Sequence, residues 1–207
     1  NTNLSMSYKI TDKINASFRS GFDNYNNETE SRKPIGDSNA KTGYYGYSYG
    51  EGYSFNNDFM INGDFKWQDF TIKALAGASS YYWKSNSNGG GTRNGISIPG
   101  FYSLNASVER PSVWKSVSEK AQYGVYGKAE LSWKNGIFVD ITGRNDWSST
   151  LPSTSRSYFY PSVATSFLPT QFYNPFKEVL DFWKIRGSWT ISKKDLGVYD
   201  SNMAYYV

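Results

Sequence analysis

The chain has 207 residues with no Cys and no His, 18% aromatic and 19% charged residues, and a formal net charge of +4. Without thiol or imidazole there is no disulfide framework, no thiolate or imidazole metal site, and no Cys-His or Ser-His-Asp nucleophile. No window approaches the ~20 apolar residues of a spanning helix, the 18 Tyr, 13 Phe and 7 Trp exclude ordinary disorder, and 22 Lys and Arg against 18 Asp and Glu, with no basic run, leave no nucleic-acid footprint.

Asn1 opens on polar residues without the apolar core of a signal peptide, as expected of a mature start or an internal piece. From there the apolar period is two, the signal of strands. Leu4, Met6, Tyr8 and Ile10 alternate with polar residues, Thr11-Asp12-Lys13 turns, and Ile14, Ala16 and Phe18 resume. Asp23, Asn24, Asn26, Asn27 and Glu28 are rich in oxygen but lack the spacing of a calcium loop. Asn26 to Tyr53 reads as a long connection, Gly-rich and carrying Tyr44, Tyr45, Tyr47, Tyr49 and Tyr53, whose flat hydrogen-bonding rings suit stacking on a sugar or a protein lid, or packing within the loop itself.

Phe59, Ile61, Gly63, Phe65 and Trp67 form the next stripe, Gln68-Asp69 turns, and Phe70, Ile72, Ala74, Ala76 and Ala78 run back. A two-residue loop there sets Trp67 opposite Phe70 and Asp64 opposite Lys73. Tyr81, Tyr82 and Trp83 are expected to close that strand. Lys84 to Lys120 reads as a second long loop, with Gly89-Gly90-Gly91 as a flexible tip; no Gly-Lys-Ser or Gly-Lys-Thr follows to make a phosphate cradle.

Tyr123, Val125, Gly127, Ala129, Leu131 and Trp133 give the cleanest stripe, followed by Ile137, Val139 and Ile141. A strict two-residue turn at Asn135-Gly136 would break the alternation, so a three-residue loop with a bulge is expected, Gly136 taking the left-handed conformation. After Ser148 to Ser157 a seventh strand is expected from about Tyr158 to Leu168, an irregular or briefly helical link from Pro169 to Leu180, and an eighth strand from about Trp183 to Ser192.

Tight and long connections alternate, and aromatics cluster at both strand ends: Trp67, Phe70 and Trp133 at one, Tyr82, Tyr123 and Trp147 at the other. Short turns on one rim, long loops on the other and two aromatic girdles suit a transmembrane barrel. The same stripes also fit a soluble or surface-attached β-sandwich with one wet face, which would bind carbohydrate through its aromatic loops. The small residues of the Ala74, Ala76, Ala78 and Gly127, Ala129 runs would fill a soluble core poorly and favour the barrel.

Three ordered motifs go further. Gly143-Arg144-Asn145-Asp146-Trp147-Ser148-Ser149, then Tyr158-Phe159-Tyr160-Pro161-Ser162-Val163, then Leu180-Asp181-Phe182-Trp183-Lys184-Ile185-Arg186-Gly187-Ser188-Trp189, resemble the SusC/RagA-like TonB-dependent outer-membrane transporters. Ile96 to Tyr102 resembles the long extracellular loop that precedes the matching strand pair. The likeness runs from about Phe59 to Trp189. After Trp189 the family's Gly-Asn-containing turn is replaced by Thr190-Ile191-Ser192-Lys193-Lys194-Asp195, and nothing resembles the plug or the TonB-contacting segment.

The resemblance implies an all-β antiparallel transmembrane barrel segment of about eight strands, a middle portion of a plugged barrel of 22 strands in the outer membrane of a Gram-negative bacterium. It implies TonB-dependent import of a glycan oligomer or peptide, with a SusD-like surface lipoprotein, the TonB complex and membrane lipid as partners, and no enzyme activity or cofactor. Arg144 and Asp146, with Asp140, would face the lumen and contact plug or substrate, or form a lumen ion pair that fixes strand ends; Lys128 and Glu130 would join them from the neighbouring strand. Asp140 and Asp146, six residues apart on one strand, are about 20 Å from each other and cannot act as a glycosidase pair.

Overall fold

The computed structural model describes residues 1–173 and 180–200. They form one eight-stranded sheet in chain order: β1 (Thr2–Lys9), β2 (Ile14–Asp37), β3 (Ala40–Trp67), β4 (Phe70–Ile96), β5 (Ser107–Trp133), β6 (Ile137–Ser148), β7 (Ser157–Phe167) and β8 (Ile185–Thr190). The only α-helix among the described residues is the single turn α1 (Pro169–Phe172), within the expected link; residues 174–179 of that link lie outside the described residues. No second sheet lies over the first among the described residues, so the sandwich alternative is not the architecture. Ile96 and Ala106 are the only buried hydrophobic residues described.

The sequence misjudged the long connections. Asn26 to Tyr53 and Lys84 to Lys120 are not loops: β2 and β3 continue to a tight turn at Ser38-Asn39, and β4 and β5 continue to residues 97–106. The apolar stripe ends in these stretches, but the alternation of side chains does not, and ladder hydrogen bonds need no apolar face. Gly89, Gly90 and Gly91 are accordingly buried inside β4 rather than a flexible tip, and Tyr81, Tyr82 and Trp83 lie in mid-strand. Ser148 to Ser157 does remain a connection.

The chain divides into two compact units. The first comprises Asn1, Phe22–Ser54 and Trp83–Glu119. It is paved with glycine where rings need room. A Cβ on Gly52 would stand 2.6 Å from the Tyr25 ring, and one on Gly89 would stand 2.8 Å from Trp114.

The second comprises Thr2–Gly21, Phe55–Tyr82 and the described residues from Lys120 onward. Thr11 turns its first hairpin, its hydroxyl accepting from the amides of Lys13 (3.2 Å) and Ile14 (3.1 Å). The β5–β6 loop has three residues, as expected, with Trp133 opposite Ile137 and Leu131 opposite Val139. Its left-handed residues, however, are Lys134 (φ 49°) and Asn135 (φ 52°), not Gly136. Gly136 serves packing instead: a Cβ there would fall 2.7 Å from Cζ of Phe172, which α1 carries over the turn. Rings at this end form a row, Trp67 to Phe70 (6.3 Å between centroids), Phe70 to Trp133 (6.5 Å), Trp133 to Phe172 (5.4 Å) and Phe172 to Phe167 (5.8 Å).

The antiparallel register of β5 to β8 sorts the side chains. One face carries Val125, Leu131, Ile141, Val163, Phe167 and Trp189, each between 38% and 56% exposed although apolar. The other carries Lys128, Glu130, Asp140, Thr142, Arg144, Asp146, Tyr160 and Ser162. A sheet with an uncovered apolar face and a charged opposite face inverts the arrangement of a soluble sheet, which keeps its apolar side against a core.

Candidate functional site

The polar face of the second unit holds a hydrogen-bonded network centred on Asp146, which is 3% exposed. In the ladder Asp146 lies between Gly124 on β5 and Tyr158 on β7, and Arg144 lies between Tyr126 and Tyr160. Arg144 Nε donates to Asp146 Oδ1 at 2.8 Å and Arg144 Nη2 donates to Ser79 Oγ on β4 at 2.9 Å. Tyr160 donates its hydroxyl to Asp146 Oδ2, and Gln122 donates its amide to the same oxygen at 3.3 Å and to the Tyr158 hydroxyl at 3.2 Å. The Arg144 guanidinium lies 5.1 Å from the centre of the Tyr126 ring, and Tyr126 in turn donates to Asp58 on β3 at 3.4 Å.

A carboxylate this buried requires a partner of opposite charge and filled lone pairs, and Asp146 has both. The network ties β3 through β7 together through side chains alone. Its chemistry is that of fixed charge and hydrogen bonding, with Arg144 one-third exposed and so reachable from the polar side.

The other residues of the same face behave differently. Lys128 and Glu130 form an ion pair with each other, both about two-fifths exposed, where such a pair contributes little. Glu130 and Asp140 line a cleft with Asp64, Lys66, Lys73 and Lys184. The sequence therefore placed Arg144, Asp146, Asp140, Lys128 and Glu130 on one face correctly, but only Arg144 and Asp146 belong to the network. Tyr158 and Tyr160 stood in a quoted motif without a site role, and Tyr126, Gln122, Ser79 and Asp58 were not singled out, because only the register of five strands brings these residues together.

The rim beside this network contains a second polar cluster that was also missed. Asp195, beyond β8, accepts from Lys120 at 2.7 Å and from Ser148 at 3.0 Å, and Ser148 also bonds Thr150 at 2.8 Å. Burial would raise the Asp195 carboxyl, but the hydrogen bonds from Lys120 and Ser148 and the Lys120 charge outweigh it and hold the group below the usual carboxylate value.

The five tyrosines read as one loop are on β3 and do not form one cluster. Alternation sends Tyr44 to one face and Tyr45, Tyr47, Tyr49 and Tyr53 to the other. Tyr45 donates to Glu30 at 2.8 Å and Tyr49 to Glu51 at 3.3 Å, while Tyr53 packs on Phe22 with centroids 6.5 Å apart.

No protein-family model and no curated protein sequence matches the chain. Solved structures do. The RagAB peptide transporter matches with a TM-score of 0.74 and 18% identity over 91% of this chain and 22% of that one. The RagAB peptide importer in its open-open state gives 0.73 and 19% over 91% and 21%. The siderophore receptor PiuA from Acinetobacter baumannii gives 0.56 and 15% over 82% and 30%. The chain thus spans about a fifth of the RagAB chains it resembles. At these identities the likeness is one of fold: this sheet has the form of a portion of an outer-membrane transporter barrel.

Proposed function

We propose that the chain is part of the β-barrel domain of a TonB-dependent importer in the outer membrane, of the SusC/RagA-like kind, which takes up a glycan oligomer or a peptide. The observation that carries this reading is the division of β5 to β8 into an uncovered apolar face and a charged, networked face. In a barrel the first would meet lipid and the second the lumen. The likeness to the RagAB peptide transporter and to the PiuA siderophore receptor supports import as the general activity.

On this reading the Arg144–Asp146 network braces the wall where a plug or a substrate would press against it. Transport is gated binding without covalent chemistry, so the chain would not be an enzyme and would need no cofactor. Energy would come from the TonB complex through a plug, and a SusD-like surface lipoprotein would cover the outer opening, as the resemblance implies.

The test is uptake by cells carrying the whole protein. Labelled oligosaccharide and peptide pools should accumulate only with TonB present, and the protein should fractionate with the outer membrane. Uptake that persists without TonB, or a protein recovered from the soluble fraction, would overturn the proposal.

A further inference from the structure

In the second unit the ladder between β7 and β8 ends at Ser162 opposite Thr190. One more bond follows, from the Ile191 amide to the Pro161 carbonyl at 3.1 Å, and Pro161 has no N–H to return. The chain then leaves the sheet edge and reaches the polar face at Lys120 and Ser148. Between Ser192 and Asp200, Asp195 makes the only hydrogen bonds or ion pair to the rest of the chain among the described residues, while Gly197 and Asp200 bond each other. The segment is therefore a strap held at its root and by one carboxylate.

The groups that receive this carboxylate are held in place without the strap. Ser148 stands opposite Gln122, two positions beyond Asp146 on the same face. Its hydroxyl lies 3.0 Å from Asp195 Oδ2, with Lys120 Nζ at 2.7 Å and the Thr150 hydroxyl at 3.5 Å. Ser148 is 2% and Thr150 3% exposed. The Ser149 amide donates to the Ala121 carbonyl at 2.9 Å, the Ala121 amide to the Ser149 hydroxyl at 2.9 Å, and the Ser148 amide to the Arg156 carbonyl at 3.1 Å. Asp146 is already matched by Arg144, so Asp195 is the one counterion of Lys120 among the described residues. Lys193 and Lys194, both exposed on the strap, add positive charge beside it.

We propose that Lys120, Ser148 and Thr150 form a carboxylate-binding site for an acidic peptide, and that Asp195 is its internal competitor: an Asp or Glu side chain of the peptide replaces Asp195, and the strap is released. One ammonium and two hydroxyls fit a carboxylate, and a site fixed beforehand by backbone bonds costs little ordering when it is filled. Lys120 is about four-fifths buried, so its charge needs a counterion from one source or the other. The occupant in the structure is itself an aspartate on a polypeptide strap, which favours a peptide over an acidic sugar. The proposal deepens the import reading and rests on it for the fate of the bound peptide, not for the binding itself.

The whole protein, purified in detergent, is titrated with a fluorescent pool of tetrapeptides containing Asp and Glu, with the same pool carrying Asn and Gln instead, and with oligogalacturonate. The acidic pool should bind and should lower the hydrogen-exchange protection of residues 191–200. Asp195→Ala should tighten that binding about tenfold, the gain when a site open about one-tenth of the time becomes open throughout. An aspartate that only ties the strap down would give no such gain. Lys120→Met should abolish binding; if that variant does not fold, Ser148→Ala replaces it and should weaken binding severalfold. Equal binding of the Asn and Gln pool, oligogalacturonate bound in place of the acidic peptides, or unchanged or weaker binding in Asp195→Ala would overturn the proposal. The import reading would survive any of these if uptake still required TonB, and uptake independent of TonB would overturn that reading alone.

Discussion

Gly124 faces Asp146 across the β5–β6 ladder, and the volume a side chain at 124 would occupy is taken by the Arg144–Asp146 pair, whose Arg144 Nη2 would stand 2.6 Å from a Cβ there. The glycine is therefore part of the ion pair's site. Gly124→Val should push the guanidinium off Ser79 and lower stability by about 2 kcal/mol, the usual scale of overpacking. Thermal unfolding of the detergent-solubilised protein, followed by its shift in gel mobility, measures this.

Asp146 accepts three hydrogen bonds, and removing it leaves the Arg144 charge and two donors without their acceptor. Asp146→Ala is expected to cost about 3 kcal/mol, the lower end for a broken buried pair because Arg144 keeps one-third of its side chain in solvent. Asp146→Asn keeps the shape and should cost less. The same unfolding assay ranks the two, and equal losses would mean that charge contributes nothing.

Leu131 is on the apolar face and its neighbour Ser132 on the polar one. Leu131→Lys should impair membrane assembly, with a cost of about 2 kcal/mol or more when lysine faces the bilayer interior, whereas Ser132→Lys, next to Glu130 and Asp140, should assemble normally. Quantifying protein in outer-membrane fractions compares them; the opposite ranking would reverse the faces.

Asp195 ties the segment beyond β8 to Lys120 and Ser148. Its carboxyl titrates lower folded than unfolded, so its contribution is complete above the unfolded value of about 3.9 and is lost as pH falls through the lower folded value. The protection of residues 191–200 against hydrogen exchange, taken relative to the unstructured chain at each pH, should hold from neutral pH down to the carboxylate range and fall below it. Asp195→Asn should show the lower protection at all pH values, by about 1.5 kcal/mol of local stability.

Lys134 and Asn135 both sit at positive φ, where a Cβ is strained. Asn135→Gly should raise stability by about 1 kcal/mol, since glycine takes that conformation freely. Gly136→Asn should lower it, because Phe172 occupies its side-chain space. An unchanged midpoint for both in thermal unfolding would contradict this account of the turn.

Alternation alone determined much of this protein. The stripes from Tyr123 to Trp133 and from Ile137 to Ile141 set two strands, their faces and the three-residue loop between them, because a side chain's face follows from counting by twos. The same counting put Arg144 and Asp146 on the charged side. Where the apolar signal stopped, as at Tyr44 to Tyr53 and Gly89 to Gly91, strand looked like loop, since backbone pairing leaves no hydrophobic mark when neither face is buried in a core. Only the tertiary structure decided which strands neighbour one another at which register. That register gathers Ser79, Gln122, Tyr126 and Tyr160 from three strands around one ion pair on a fourth, lays Trp114 on Gly89, and brings Asp195 back to Lys120 across 75 residues of chain, separations at which local periodicity carries no information.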